Sequence, residues 1–456
     1  MTDQPQTVDG DQTVDGQEAR PASRRRLLVV GLAVLLVAAV VAAVLTFRAL
    51  SAEPAEAVPA TVPVPVTVAH VPDRVAIGVV VTLGDGEGSE WNQAAQGAVV
   101  AQRRLALGGT RVQLVTQNDS GTTDGARAAV EELVRQHVAG IVVASSGAHV
   151  AAAAAAAADA GIPVVMPYAG AVDDAWSTAP SSQSVASAMQ RALGGAASPL
   201  LVDLGGGAPA GLRVAHVLPA GDTDMTSLAT TVAARTGAVP TSTPDGDTNT
   251  GGDAPAADSD AVVVSGSAAR QGAFVAALQA TDVTVPVVLT PDATSPAFGS
   301  ALTAAGGSVS GDFRTAGVAT DDATALDAGA AGRAMSAFLG AVRVVAKDQD
   351  ARNLTGDQPF SAVAAAADAR SHDAVIALVH AVGAARSTDP EAVTDALATT
   401  SLDVDDGLAG PALDFTDPQA LGTGATVLAS SAQALGLRPE TTSAPALVWF
   451  EDTTGR

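Results

Sequence analysis

The sequence predicts an α/β protein built from two doubly wound, parallel-sheet lobes. From Arg74 onward, short apolar runs rich in β-branched residues alternate with helical segments, which is typical of parallel strands joined by helices. Most of these runs are apolar throughout, as expected for a sheet covered on both faces. The chain has 456 residues, 47% of them hydrophobic, which is enough material for two packed cores.

A strand–helix–strand unit is clearest between residues 140 and 170, which read GIVVASSGAHVAAAAAAAADAGIPVVMPYAG. Two apolar runs, 141–144 and 163–166, flank eight consecutive alanines. Alanine is a strong helix former with a minimal side chain, so this helix can lie close to a sheet. Ligands of open α/β sheets bind beyond the carboxyl ends of the strands. Those ends carry Ser145, Ser146 and Gly147, and then Tyr168, Ala169 and Gly170.

The N-terminal part of the chain predicts a membrane anchor. Residues 1–26 are polar and are expected to form a disordered cytoplasmic tail. An uncharged run from Leu27 to Phe47 then has the length of a helix that crosses a hydrocarbon core of roughly 30 Å. Arginines precede this run, so the positive-inside rule places the rest of the protein outside the cell. A cleaved signal peptide is the alternative, but its apolar core usually spans only about 7 to 15 residues.

Two low-complexity segments flank or interrupt the predicted lobes. Residues 48–73 are rich in proline and are expected to form a semi-extended spacer. Residues 242–260 are rich in Asp and Gly, which predicts a surface insertion in the second lobe. The aspartates of this insertion lack the spacing of a calcium-binding EF-hand loop, so we expect a solvated loop.

Composition argues against several classes of function. The formal net charge is −24, which disfavours nucleic acid as a partner. The chain has no cysteine, which excludes disulfides, a thiolate nucleophile and a lipoprotein anchor. Six scattered histidines contain no metal-binding helical pair, and neither a G-x-S-x-G elbow nor a Walker lysine occurs. We therefore expect no metal, no cofactor and no enzymatic activity, and a hydrolase is the least favoured alternative.

Three stretches carry a resemblance to a known family. They are IGVVVTLGDGEGSEWNQAAQGAVVAQRRLALGGTRVQLVTQNDSG, SHDAVIALVHAVGAARSTDPEAVTDALATT and LAGPALDF. Together with residues 140–170, they resemble the type I periplasmic binding proteins, in particular the leucine/isoleucine/valine-binding group that serves ABC importers. The resemblance implies two lobes, joined by three crossovers, that close on a solute. It assigns residues 74–180 and 320–400 to lobe 1, and residues 181–319 and 401–456 to lobe 2.

The resemblance also implies which loops of lobe 1 line the cleft. Trp91 matches the family's first loop, although a tryptophan there can also be a core residue. Free N–H groups at a helix start bind anions, so residues 145–147 are predicted to hold the carboxylate of a zwitterionic solute. Simple helix capping is the alternative role of these serines. Residues 168–170 match a loop whose backbone and small side chains contact the ligand.

On lobe 2, the resemblance singles out an acid and a loss of aromatic residues. Asp292 aligns with a position where amino-acid binders often place an acid for the ammonium group of the ligand, a charge-assisted pair. Forming a turn or capping a helix is its alternative role. Thr223 and Ser267 align with positions that often carry aromatic side chains, and Ser267 is included in the predicted site.

The sequence therefore predicts a membrane-anchored extracytoplasmic solute-binding protein that captures an amino acid or similar small polar solute. Its expected partner is an ABC permease. The alternative is a binding-fold ectodomain that no longer traps a solute and acts as a cell-surface sensor or interaction module. The aromatic-poor second lobe favours this alternative, whereas the first-lobe loops favour solute capture.

Overall fold

The structure, a computed structural model, describes residues 64–238, 258–320, 322–439 and 447–452. The predicted tail and membrane run lie outside these residues, as do residues 48–63 of the predicted spacer. Within the described ranges, no helix is both long and apolar enough to cross a bilayer.

The first lobe is built on a five-stranded parallel sheet. Its strands are β1 (Val75–Val81), β2 (Val112–Asn118), β3 (Gly140–Val143), β4 (Val164–Met166) and β5 (Trp176–Ser177). They lie in the order β2-β1-β3-β4-β5. The helices that follow the first three strands are α1 (Gly97–Leu107), α2 (Thr123–Arg135) and α3 (Val150–Asp159). Strands β3 and β4 are buried along their whole length, which explains why their sequences are apolar without alternation.

The alanine-rich helix α3 packs against both α2 and β3. Ala153, Ala154 and Ala157 are completely buried in this contact. Methyl side chains let the two helices and the sheet approach closely, which accounts for the alanine block in the sequence.

The second lobe begins with five further parallel strands and four helices. The strands are β6 (Pro199–Asp203), β7 (His216–Pro219), β8 (Ala261–Ser265), β9 (Val287–Leu289) and β10 (Arg314–Gly317). The helices are α4 (Ser182–Ala192), α5 (Met225–Arg235), α6 (Ala268–Gln279) and α7 (Pro296–Ala304). The end of the predicted insertion is structured: the Asp260 carboxylate accepts hydrogen bonds from the Ala197 and Ser198 amides at 2.7 and 2.8 Å.

After β10 the chain returns to the first lobe. It forms α8 (Ala330–Lys347), α9 (Ala369–Ala385), α10 (Pro390–Leu397) and the short hairpin β11 (Ser401–Leu402) and β12 (Leu413–Asp414). Residues 401–421, expected in the second lobe, instead pack in the core of the first. Leu408, Phe415 and Leu421 are buried there because they are the apolar side chains that cover α9 and β5.

The last two strands return to the second sheet, where β13 (Thr426–Ser431) pairs with β10 and β14 (Val448–Glu451) pairs with β13. Both pairings are antiparallel, so this sheet, unlike the first, is not wholly parallel as expected. The strand order is β14-β13-β10-β9-β8-β6-β7. The described chain thus passes between the lobes three times, and its last passage lies between β12 and β13.

Residues 64–71 form a strap that is packed on the first lobe, whereas their proline content predicts a semi-extended spacer. Val66 and Val68 are buried, with 3% and 9% of their surface exposed. The Val66 amide donates to the Arg104 carbonyl at 3.1 Å, and Arg104 Nε donates to the Val64 carbonyl at 2.9 Å. A side chain at Gly108 would collide with the Val66 carbonyl at 1.9 Å, so a glycine is needed for this close approach.

A buried polar chain links the strap to the centre of the lobe. Arg104 Nη1 lies 3.1 Å from His372 Nε2, and His372 Nδ1 lies 2.7 Å from the Asp373 carboxylate. That carboxylate also accepts from the Ala409 and Gly410 amides, each at 2.8 Å. Burial lowers the pKa of Arg104 to about 10, although the negative charge of Asp373 raises it. Burial also lowers the pKa of His372, which leaves a neutral imidazole to accept from Arg104 and donate to Asp373.

Candidate ligand-binding cleft

A cleft of about 870 Å³ lies between the two lobes. The first lobe contributes Trp91, Gln93 and Tyr168, whereas the second contributes the 3-10 turn Pro291–Thr294 and helix α7. Its volume falls within the range of small-molecule binding sites, roughly 300 to 1,000 Å³. The cleft is thus large enough for a small solute and has walls from both lobes.

An aromatic pair and an arginine form the first-lobe wall. The rings of Trp91 and Tyr168 stack with centroids 4.5 Å apart and an interplanar angle of 6°. The guanidinium carbon of Arg370 lies 4.9 and 4.7 Å from the two centroids, and Asp368 holds this guanidinium with its carboxylate. This is a cation–π arrangement in which the protein supplies its own cation.

Asp292 projects from the second lobe, on the 3-10 turn that follows β9. Its side chain is half-buried and lines the cleft. Burial raises the pKa of this carboxyl to about 6, and the negative charge of Glu90 on the opposite lobe raises it further. Glu90 belongs to the 3-10 turn Ser89–Trp91, which contacts α7 across the cleft. The negative charge of Glu90 on one lobe therefore acts on the Asp292 carboxyl of the other.

The other charged residues that line the cleft form ion pairs. Arg370 pairs with Asp368 at 2.7 Å, and Arg438 pairs with Asp322 at 2.7 Å. Arg438 also donates to the backbone carbonyls of residues 365 and 367. Among the described residues, Asp292 is the lining carboxylate without an ion pair.

Residues 145–147, predicted to bind a carboxylate, do not line the cleft because residues 87–91 cover them. The Ala148 amide, in the turn that leads into α3, donates to Glu87 Oε2 at 3.2 Å. Ser146 Oγ accepts from Trp91 Nε1 at 3.1 Å. Gly88, with φ of 91°, lies so close that a side chain there would be 2.1 Å from the Ser145 hydroxyl. The protein's own Glu87 thus occupies the place that we predicted for the carboxylate of a ligand.

Beneath this cover lies a buried polar cluster that resembles a catalytic triad only in composition. His149 Nε2 lies 3.0 Å from Ser145 Oγ and 3.1 Å from Asp119 Oδ2, so both partners approach the same nitrogen. In a triad, the acid holds the opposite nitrogen of the imidazole. Ser145 is completely buried and also contacts Thr82 at 2.7 Å, so a substrate does not reach its hydroxyl. The cluster joins the ends of β1, β2 and β3.

The remaining predicted residues divide between the cleft and other places. Gly170 lines the cleft, as do Trp91, Tyr168 and Asp292. Ala169 is buried next to it, and its carbonyl accepts from Ser177 Oγ at 2.7 Å. Ser267 is the exposed residue before α6 and is not part of the cleft wall.

Solved structures with a similar fold identify the fold of this chain. No protein-family model matches the chain, and no curated protein matches it. The substrate-binding protein LivJ of a branched-chain amino acid transporter from Streptococcus pneumoniae, solved with isoleucine, has a TM-score of 0.54 and 17% identity. The match covers 83% of this chain and 99% of LivJ. The structural neighbours are type I periplasmic binding proteins. This chain has their fold.

Two further neighbours show the range of ligands in proteins with the type I periplasmic binding fold. The leucine-binding protein LivK from Thermotoga maritima has a TM-score of 0.53 and 16% identity, over 82% of this chain and 98% of LivK. A solute-binding protein from R. palustris, solved with 4-hydroxybenzoate, has a TM-score of 0.53 and 16% identity. That match covers 83% of this chain and 96% of the neighbour. At these sequence identities, the structural similarity shows the fold of this chain alone.

Sequence reasoning missed two residues of the cleft wall. Arg370 directly precedes Ser371, the first residue of a stretch that carried the resemblance. The nearby Asp368 was the sequence feature that could have indicated an ion pair there. Trp449 lies on β14 and lines the cleft with 4% of its surface exposed. The second lobe of this type I periplasmic binding fold therefore keeps an aromatic side chain, although Thr223 and Ser267 are not aromatic.

Proposed function

We propose that the chain is a membrane-anchored extracytoplasmic solute-binding protein that captures a small polar solute bearing an amino group and delivers it to an ABC-type importer. The observation that carries this proposal is Asp292, a half-buried carboxylate without an ion pair among the described residues, in a cleft between two lobes. The type I periplasmic binding fold supports a non-enzymatic role, since the solved neighbours are solute-binding proteins.

The cleft supplies complementary surfaces for such a solute. The Asp292 carboxylate can form a charge-assisted hydrogen bond with an ammonium group, which is stronger than a bond between neutral groups. Trp91, Tyr168 and the Arg370 guanidinium that lies over their rings form the opposite wall of the cleft, against which the rest of the solute would pack. Because the acid and the aromatic pair belong to different lobes, full contact with the solute requires both lobes.

The capture of a solute is tested by titrating the full-length chain, purified in detergent, with amines, amino acids, hydroxybenzoates and sugars, and measuring its melting temperature. A ligand that binds only the folded state raises this temperature. For a ligand found in this way, Asp292→Asn should raise the dissociation constant roughly thirtyfold, since the loss of one charged partner costs about 2 kcal/mol. The matched control is Asp282→Asn, an exposed acid of the same lobe that does not line the cleft.

The anchor is tested separately by sequencing the N-terminus of the protein isolated from membranes. Retention of residues 27–47 is the expected result. A mature chain that begins near Glu53 would instead indicate a cleaved signal peptide and a released protein.

A second candidate function is a cell-surface sensor or interaction module that traps no solute. Two contacts favour it: Glu87 fills the start of α3, and Arg370 covers the stacked aromatic pair. Under this alternative, no compound of the panel shifts the melting temperature, and Asp292→Asn changes no binding property.

A further inference from the structure

We infer that the solute is an organic amine without an adjacent carboxylate, rather than a zwitterionic amino acid. The inference rests on the proposed function and narrows its substrate class. It follows from how the chain uses its own anion-binding groups in and around the cleft.

At the turn that leads into α3, free backbone N–H groups would hold a carboxylate. Glu87 supplies that carboxylate from within the chain, through the 3.2 Å contact with the Ala148 amide. A side chain at Gly147 would lie 2.3 Å from the carboxyl carbon of Glu87, so the acid is packed directly on this turn. His149 lies below with 2% of its side chain exposed, and its Nδ1 is 3.9 Å from Glu87 Oε2 without a hydrogen-bond partner among the described residues. A solute carboxylate would have to displace Glu87.

The other hydrogen-bond donors that face the cleft already have acceptors within the chain. Three helices begin at its wall, and each carries a side chain that accepts from its own first turn: Ser181 caps α4, Ser295 caps α7 and Asp368 caps α9. The guanidinium groups of Arg370 and Arg438 are held by aspartates. These amide and guanidinium donors therefore already bind acceptors that belong to the chain itself.

The charges on the two walls of the cleft favour a cation. Asp292 has no ion pair among the described residues, and Glu90 lies on the facing turn of the other lobe. A cation placed between the lobes is attracted by both acids, whereas a solute carboxylate is repelled by them and by Glu87. An amine satisfies this arrangement, and a carboxylate next to the amino group opposes it.

The test compares pairs of probes that differ only in the carboxylate: 3-methylbutylamine with leucine, and 2-phenylethylamine with phenylalanine. Dissociation constants for the full-length chain in detergent are measured by isothermal titration calorimetry. We expect at least one amine to bind roughly tenfold or more tighter than its amino acid, because like charges disfavour the latter. Glu87→Ala should reduce this preference by freeing the Ala148 amide, whereas Glu131→Ala, an exposed acid on α2, should not.

Each result separates the inference from the function on which it rests. If leucine or phenylalanine binds as tightly as its amine, the amine assignment is wrong while solute capture stands. If the amine is preferred but Glu87→Ala and Glu87→Gln both leave the preference unchanged, Glu87 does not exclude the carboxylate of a solute, and the inference drawn from its contact with Ala148 is overturned. If amines, amino acids, hydroxybenzoates and sugars all fail to bind, solute capture itself is refuted.

Discussion

The strap of residues 64–71 offers a direct test of how the first lobe is held together. Replacing Val66 and Val68 by alanine removes four methyl groups from the buried side of the strap, where Val66 lies against Gly407 and Val68 lies against Gly383 of α9. Both valines are almost completely buried, whereas Thr67 between them is exposed. Thr67→Ala is therefore a matched control within the same segment.

The size of the effect follows from burial. Each valine-to-alanine change removes two methyl groups, worth about 0.8 kcal/mol each, and leaves part of the cavity unfilled. Val66→Ala should thus lower the free energy of unfolding by about 1.5 to 2.5 kcal/mol. The double variant should lose about 3 to 5 kcal/mol if the two changes are additive.

Urea unfolding, followed by tryptophan fluorescence on a chain without residues 1–47, measures this difference. The midpoint should move to lower urea for Val66→Ala and stay in place for Thr67→Ala. If the double variant lowers the free energy of unfolding by less than about 0.5 kcal/mol, as is typical of surface changes, residues 64–71 do not stabilise the first lobe and act only as a spacer.

Stability, loop replacement and affinity give three further tests. Burial lowers the pKa of His372, so the folded state keeps this imidazole neutral. The free energy of unfolding should therefore fall as the pH drops below about 6.5, because the unfolded chain then binds a proton that the folded chain does not. In urea titrations, His372→Gln should make this decline less steep. Replacing residues 242–257 by a short Gly/Ser link should leave the melting temperature nearly unchanged, whereas Asp260→Ala should lower it. Because the pKa of Asp292 is about 6, amine affinity measured by calorimetry should fall between pH 7 and pH 5, and Asp292→Asn should abolish that dependence.

The sequence predicts the elements of the fold well where the signal is local. The residue pattern predicts a helix over about residues 123–136, where the structure has Thr123–Arg135. It predicts another over about 268–280, where the structure has Ala268–Gln279. Periodicity and capping act over a few residues, so they can be recognised without knowing the partner surface. The antiparallel strands β13 and β14 form after the chain has crossed back from the first lobe. No local sequence pattern predicts such a crossing.

In the strap, the prolines draw attention away from a second pattern, the alternation of valines. Prolines between residues 51 and 73 indicate an extended spacer, but Val64, Val66 and Val68 alternate with polar or small residues. That period of two is typical of an extended segment with one buried side. Its partner is Arg104, whose importance became visible only when the structure placed it against the Val64 carbonyl.

The candidate site could be predicted in location but only partly in composition. Four predicted residues line the cleft, because strand ends of parallel sheets meet at one edge. Glu87 covers the start of α3 from about 60 positions earlier in the chain, and Arg370 contacts Trp91 from 279 positions later. Such contacts depend on which loops the fold brings together, so neither could be read from spacing.

The negative charges of Glu90 and Asp292 bear on the charge of a solute that the cleft would prefer. Glu90 and Asp292 lie on opposite lobes, and their like charges repel one another. Under the proposed function, an ammonium group between the two acids would replace this repulsion by two attractions. The affinity for a solute would then depend on its charge and not on its size alone. Neutral analogues of a bound amine, in which a hydroxyl replaces the amino group, should accordingly bind weakly although they fill the same volume.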